Sequence, residues 1–232
     1  MADHLSDEEQ LDAIKKWWRE NGTSLLLLVV LVAGGWFGWN YLQSQKKQSV
    51  EDSSHVYMAM VDAVVAWEKE PTREHADQVA AHGETLKKLN EDGLYARFAA
   101  LTLSRLYMTD GDTDNAIEEL KWARAKTEDQ ALAALIDLRL ANAEFARDNG
   151  DGALQILAQS HPEEFSGLFR ELRGDIYYSL GQNEQALEAY QGALDQLEDS
   201  DPAAERARAM LELKINDAMP AGTESASGEE DA

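Results

Sequence analysis

Two histidines come closer than any other residues in this sequence to a set that could do chemistry. His75 and His82 lie seven residues apart in a segment of helical spacing, so both fall on one face of a helix. A zinc site also needs a third histidine, a cysteine or a suitably spaced acid, and no such residue completes the set. The pair is therefore predicted to consist of solvated surface histidines.

No catalytic or nucleotide-binding pattern is found elsewhere in the sequence. No histidine or serine stands in a nucleophile motif such as G-x-S-x-G, and the phosphate-binding patterns G-x-x-x-x-G-K-[ST] and G-x-G-x-x-G are missing. Asp and Glu total 44, so pairs of carboxylates occur throughout and identify no site. We predict a protein that is not an enzyme, holds no cofactor or metal and works by binding other proteins. An enzyme with an unrecognised site is the remaining class.

The charge balance argues against polyanionic partners. Lys and Arg total 21 against the 44 acidic residues, which gives a net charge of -23. Most of the surface would therefore repel DNA, RNA and anionic lipid, and no nucleic-acid partner is predicted. The chain has no cysteine, which removes disulfides and thiolate sites, and only 4 prolines. Together with abundant Ala, Leu and Glu, this composition predicts an all-α protein.

An apolar segment near the N-terminus has the length of a membrane span. Residues 25–42 read LLLLVVLVAGGWFGWNYL, eighteen residues without a charge, and as a helix they would cover roughly 27 Å, close to a bilayer core. Aromatic residues that suit the two interfaces lie near its ends, namely Trp17, Trp18, Trp36, Trp39 and Tyr41. Because no A-x-A-like cleavage site follows, we predict a transmembrane helix over 24–43 that is an uncleaved signal anchor. The alternatives are a buried soluble helix and a cleaved signal peptide.

The tail before the span, residues 1–23, is predicted to contain a short amphipathic helix. Ser6 and Glu9 fit a capping box at its start. This helix would lie along the inner membrane surface or simply extend the transmembrane helix. The count of basic residues leans toward a cytoplasmic N-terminus, with three before the span and two after it. These residues are Lys15, Lys16 and Arg19, followed by Lys46 and Lys47.

Gly34 and Gly38 form a G-x-x-x-G pattern inside the predicted span. Their missing side chains would let a second membrane helix approach closely, where lipid gives no hydrophobic drive for association. The two glycines are therefore a candidate transmembrane docking site. The alternative is that they have no partner, since glycine is common in membrane helices.

The chain after residue 48 has the pattern of a helical repeat domain, assigned to residues 49–216. Apolar residues follow helical spacing, and turn-forming residues separate segments of roughly fifteen residues. Ala116, Ala153 and Ala186 occupy the same place in three second helices, and their separations of 37 and 33 residues bracket the tetratricopeptide period of about 34. We predict a tetratricopeptide-like α-α superhelix of about four hairpins plus a capping helix from about Ala203 to Ile215.

The clearest repeat agrees with the tetratricopeptide pattern at six positions, which are Gly174, Tyr177, Gly181, Ala186, Tyr190 and Ala193. Small residues at Gly174 and Ala186 would let the two helices of a hairpin cross closely, with tyrosines filling the space beside them. A degenerate copy has Glu144 where the tyrosine should be. After the repeats, residues 217–232 are small, polar and acidic, and this composition predicts a disordered tail.

The first helix of each tetratricopeptide hairpin lines a concave groove. The positions phased to face it are Phe98, Leu101, Arg105 and Met108 in one repeat, and Leu168, Glu171, Asp175 and Tyr178 in another. Their mixture of apolar and acidic side chains suits a protein segment, with carboxylates selecting basic partners. The alternative is that the phenylalanine and the two leucines are core between neighbouring helices.

With these elements in place, the chain resembles the YfgM family of bacterial inner-membrane proteins over about residues 7–215. The motifs that carry the resemblance are DEEQLDAIKKWWRENG before the span, GGWFGWNYL at its exit, and LRLANAEFARDNGDGAL and ELRGDIYYSLGQNEQALEAY in the repeats. The family is described as an ancillary subunit of the Sec translocon.

The resemblance implies a topology and a set of partners. It implies a single-pass inner-membrane protein with a cytoplasmic N-terminus and a periplasmic repeat domain. The implied partners are Sec translocon membrane subunits, a membrane-anchored periplasmic peptidyl-prolyl isomerase and emerging polypeptides, and the implied role is to assist or coordinate chaperones. The alternative function is a membrane-anchored scaffold for another envelope process, such as cytochrome c maturation or cell-wall synthesis.

Overall fold

The computed structural model describes residues 7–197 and 202–220, apart from the side chains of some positions in the first and last helices. Within these ranges the chain forms helices joined by short connections, with no strand. The predicted all-α class is therefore confirmed. The chain divides into two compact units, residues 1–52 and residues 53–232.

The helices follow one another with connections of only a few residues. Their bounds are α1 (Asp7–Lys69), α2 (Arg73–Leu89), α3 (Leu94–Thr109), α4 (Thr113–Ala125), α5 (Gln130–Ala146), α6 (Gly150–Leu157), α7 (Ser166–Ser179), α8 (Asn183–Leu194) and α9 (Pro202–Ala218). A 3-10 turn, Glu163–Phe165, precedes α7.

The first unit contains the N-terminal part of α1. The backbone is helical from Asp7 through the predicted span without a break, so the helix of the tail continues directly into the apolar segment. Ser6 of the predicted capping box lies outside the described residues. The apolar side chains that are described in this unit are exposed, including those of Leu31, Trp36 and Phe37.

The predicted transmembrane helix over 24–43 is described only in part, because the side chains at positions 23–29 and 42 lie outside the described residues. Across the residues that are described, no helix is long and apolar enough to cross a membrane. Gly34 and Gly38 face open space, since a Cβ atom added at either position would meet no neighbouring group within 4 Å.

The second unit is a stack of helical hairpins in chain order. The C-terminal part of α1 shares a hydrophobic cluster with α2 and α3, while α3 packs with α4, α5 with α6 and α7 with α8, and α9 packs against α8. This arrangement is the predicted four hairpins plus a capping helix. The capping helix passes its predicted end at Ile215 and reaches Ala218, which is fully buried beside Leu211. Residues 221–232 of the predicted tail lie outside the described residues.

Three of the hairpin turns contain a residue with left-handed backbone. Gly111, Asp148 and Gly181 have φ angles of 78°, 63° and 70°, a region that favours glycine because a Cβ atom crowds the following carbonyl group. The next residue then donates its backbone N–H across the turn at 2.8–2.9 Å, in the pairs Asp112 to Tyr107, Asn149 to Glu144 and Gln182 to Tyr177. The copy with glutamate in place of tyrosine therefore folds with the same turn as the other two.

The two helices of the last hairpin cross closely at Gly174 of α7. A Cβ atom at this position would lie 2.5 Å from the ring of Tyr190 in α8. That ring is buried, and its hydroxyl group donates a hydrogen bond to Asp175 at 2.9 Å. Ala186 in α8 is also fully buried. The interpretation of Gly174 and Ala186 as small residues that admit a neighbouring helix is therefore confirmed.

Gly174→Ala is expected to lower the free energy of unfolding by about 1–3 kcal/mol, because the buried and hydrogen-bonded ring of Tyr190 cannot move away from the added methyl group. Gly167→Ala in the same helix is the matched control. Its Cβ atom would lie 3.5 Å from Gln196, an ordinary contact, and alanine favours helix over glycine. Urea unfolding followed by circular dichroism measures both variants. Equal stabilities would contradict the close crossing.

Asp148→Gly is expected to raise the free energy of unfolding by roughly 0.5 kcal/mol. Removal of the left-handed strain stabilises the folded chain by more than the added flexibility of glycine stabilises the unfolded chain. Gly181→Asp at the equivalent turn is expected to lower the free energy of unfolding by a similar amount. Thermal and urea unfolding test both changes. If Asp148→Gly were destabilising, the aspartate side chain itself would have to hold the turn.

Candidate partner groove

An open groove runs along one helix from each of the first three hairpins. Its cavity has a volume of about 370 Å³. The groove residues are Tyr57, Met60, Val61, Val64 and Val65 of α1, Phe98, Leu101, Thr102 and Arg105 of α3, and Leu135 and Arg139 of α5. These helices are the first of their hairpins, which is where tetratricopeptide domains form a concave surface.

Three of the predicted positions of α3 meet in this groove. Phe98, Leu101 and Arg105 are spaced by three and four residues, which keeps them on one face of the helix. Leu101 is buried and also belongs to the hydrophobic core that α3 shares with α4 and α5. Met108, the fourth predicted position, packs half-buried against that core and is not a groove residue.

Apolar side chains remain accessible in the groove. Val61 and Val65 are 36% and 43% exposed, although both lie on a helix that packs in a hairpin. The rings of Tyr57 and Phe98 approach to 6.3 Å between centroids and form a further apolar surface. A concave, accessible apolar surface of this kind is typical of a binding site for another molecule.

Two arginines bring positive charge to the groove. Arg105 pairs with Glu68 at 2.8 Å and lies 5.7 Å from the centre of the Trp67 ring. No hydrogen bond or ion pair is found for Arg139 among the residues that the structure describes. Burial lowers the pKa of Arg139, and the nearby charge of Arg105 lowers it further. Among the described residues, Arg105 thus has an acidic partner in Glu68, whereas Arg139 has none.

The predicted positions of α7 lie outside this groove. Leu168 and Glu171 line a second cavity of about 420 Å³, between the 3-10 turn, α7, α8 and α9. Glu171 and Asp175 share a single cation, since Nζ of Lys214 in α9 lies 2.7 and 2.8 Å from their carboxylate oxygens. Tyr178 is exposed and is not part of that cavity. The capping helix therefore already supplies the charge partner of both acids.

The two cavities have opposite charge. The second cavity is lined by three glutamates, Glu163, Glu164 and Glu171, whereas the groove has two arginines and no acidic lining residue. The apolar and acidic mixture expected from the sequence is distributed over two separate cavities rather than along one surface.

The histidines do not gather into a site within the described ranges. His75 and His82 are half-buried, and Nδ1 of His75 lies 2.8 Å from the carbonyl oxygen of Glu70. No group of three His, Asp or Glu side chains able to hold a metal ion is found in the part of the chain that the structure describes. A third cavity, of about 410 Å³, lies beside His161, whose ring stacks on Phe169 at 3.9 Å between centroids.

Sequence reasoning missed the groove residues of α1 and α5. The tetratricopeptide period finds two of them, because Leu135 and Arg139 come 34 residues after Leu101 and Arg105. The first hairpin lacks the glycine and alanine signature of the later repeats, so no pattern marks the valines of α1.

Stacked helical hairpins with a groove along their first helices define a tetratricopeptide-like repeat protein. A family model described as a tetratricopeptide repeat-like domain matches residues 15–219. A protein of Aggregatibacter actinomycetemcomitans named ancillary SecYEG translocon subunit is 33% identical over 202 residues, which are 84% of this chain and 95% of that relative. The chain belongs to the same tetratricopeptide repeat-like family, the YfgM family.

Two further relatives carry the same name. The Escherichia coli protein is 28% identical and the alignment covers 93% of this chain and 98% of the relative. The Haemophilus influenzae protein is 27% identical, with 83% of this chain and 91% of the relative covered. The similarity therefore extends over the N-terminal segment as well as the repeats.

Proposed function

We propose that this protein is a membrane-anchored, periplasmic protein-interaction module that acts as an ancillary subunit of the SecYEG translocon. The observation that carries the proposal is similarity along nearly the full length of relatives with that name. Proteins that share both an N-terminal segment and a repeat domain are best explained by membership of the same assembly. The role is one of binding, with no catalytic step.

The proposed anchor is a single transmembrane helix over 24–43 in the inner membrane. Its eighteen uncharged residues support this assignment. The exposure of the described apolar side chains in this segment supports it as well, since lipid would cover such a surface. Residues 1–23 would then be cytoplasmic, residues 49–216 periplasmic, and residues 217–232 the acidic tail.

The proposed contact inside the membrane is the face of α1 that carries Gly34 and Gly38. Both glycines face open space, so a helix of a translocon membrane subunit can approach the backbone there. The anchor would hold the repeat domain near emerging chains. Tethering to the same membrane raises the effective concentration of the domain at its partner, so weak contacts suffice.

The groove is the proposed site for a segment of a periplasmic protein. The candidates are the membrane-anchored peptidyl-prolyl isomerase and emerging polypeptides, which would let the protein coordinate chaperones with newly exported chains. The exposed Val61 and Val65 support this proposal, because accessible apolar side chains in a concave site are typical of a surface that binds a partner. Leu168 and Tyr178, both exposed on α7, are proposed as further partner contacts outside the groove.

The topology is tested by labelling single cysteines, since the chain has none of its own. In intact spheroplasts, a membrane-impermeant maleimide is expected to label Ser160→Cys, at an exposed position of the repeat domain. Ser6→Cys in the tail is expected to react only after the membrane is broken. The reverse pattern would invert the proposed topology, and labelling of both sites in intact spheroplasts would exclude the membrane crossing.

The groove is tested by photocrosslinking in native membranes, with an unnatural amino acid at Val65 and mass spectrometry of the products. Val65 is expected to capture the isomerase or emerging envelope proteins, while a probe at Gly34 captures translocon membrane subunits. Glu118, exposed on α4, is the matched control and is expected to capture neither. Capture of the same partners from Glu118 but not from Val65 would reject the groove and leave the anchor intact.

A further inference from the structure

We propose that the groove selects partner segments that carry a carboxylate next to apolar side chains, with Arg139 as the residue that binds the carboxylate. The inference rests on the proposed function, in which the groove receives a protein segment, and it specifies the chemistry of that segment. It reverses the expectation from sequence that carboxylates on this surface select basic partners.

Arg139 lines the groove. Some basic residues of the first three hairpins pair with a carboxylate, as Arg105 does with Glu68 and Arg124 with Asp137. For Arg139 the described residues provide neither an ion pair nor a hydrogen bond. An arginine that lines a cavity without a partner has five free N–H donors for an incoming group.

The electrostatic surroundings of Arg139 are positive. Partial burial lowers the pKa of Arg139 and the nearby charge of Arg105 lowers it further, although the side chain is still exposed to solvent. Glu68 neutralises one of the two arginines at 2.8 Å, so the groove keeps about one unit of positive charge. An anion would relieve the repulsion between the two arginines, and a planar carboxylate fits a guanidinium group through two parallel hydrogen bonds.

A segment that brings a carboxylate to Arg139 also meets apolar side chains in the groove. Val61, Val65 and Leu135 surround the same cavity and give it an apolar surface. A free inorganic anion would leave these side chains in water, whereas a peptide with an aspartate or glutamate beside leucine, valine or phenylalanine covers them. The net charge of -23 repels nucleic acid from the rest of the surface.

The segment from 221 to 232 of the same chain is the competing occupant. It contains glutamate and aspartate, but its other residues are small, with no large apolar side chain. It can supply the carboxylate and not the apolar contact. A partner segment can supply both the carboxylate and the apolar contact, and it is therefore the occupant that we assign.

The test uses the full chain purified in detergent and an array of overlapping peptides from exported envelope proteins. The bound peptides are expected to be enriched in Asp and Glu within apolar stretches. Arg139→Gln is expected to weaken their binding about tenfold or more, which is the value of one charge-assisted pair. Arg139→Lys should retain part of the binding. Arg170→Gln, an exposed arginine outside the groove, is the matched control and should bind as the wild type does.

The outcomes of this binding test separate the carboxylate inference from the groove itself. Enrichment in Lys and Arg, or undiminished binding by Arg139→Gln, would overturn the carboxylate inference. If Val65→Ser abolished binding after either of these results, the groove would remain the binding site. Binding that is unaffected by both changes, or absent altogether, would overturn the groove as well. Stronger binding after deletion of residues 221–232 that depends on Arg139 would show that the tail occupies the site and would overturn the assignment to a partner.

A melting curve separates binding from folding. Because Arg139 has no partner to lose among the described residues and is repelled by Arg105, Arg139→Gln is expected to melt at the same temperature as the wild type or higher. A lower melting temperature together with weaker binding would mean that Arg139 has a structural role, and would overturn the inference.

Discussion

The two helices of a hairpin pack closely because a small residue on the second helix leaves room for the first. Ala116, Ala153 and Ala186 hold this position in three hairpins, and all three are fully buried. A larger side chain there would push the first helix outwards. Since the groove is lined by first helices, its width would change with that displacement. The binding surface therefore depends on packing inside each hairpin as much as on the groove residues themselves.

Electrostatic contacts join one hairpin to the next in a chain that has twice as many acidic as basic residues. The pairs that join segments far apart in the chain include Lys87 with Glu119, Lys126 with Glu91, Arg147 with Asp114 and Lys214 with Glu171. The first of these pairs is mostly shielded from solvent, where an ion pair is screened less than at an open surface. Arg139 in the groove takes no part in such a pair among the residues that the structure describes.

The sequence predicts contacts within a hairpin better than contacts between hairpins. Gly174 and Tyr190 belong to one repeat pattern, and their close approach follows from that pattern. The cation beside Asp175 comes instead from Lys214, 39 residues later, on a helix without a repeat signature. Repeat spacing alone does not decide the position of Arg139. The nominal period of 34 residues pairs it with Arg105, whereas the left-handed turns at Gly111 and Asp148 are 37 residues apart and pair Arg105 with position 142. Packing sets how far one helix is shifted along its neighbour, here by about one turn. The spacing of residues in the sequence does not predict that shift.

The ion pairs of Lys214 on α9 with the two acids on α7 also help to close the end of the stack of hairpins. The open end of a solenoid offers an incoming copy the same surface that each repeat offers the next. Here Lys214 already pairs with both acids on α7, and Leu211 and Ile215 cover the apolar surface beside Tyr190. An additional repeat would find neither contact available. Because α9 covers this surface, end-to-end growth into filaments is disfavoured at this end of the stack.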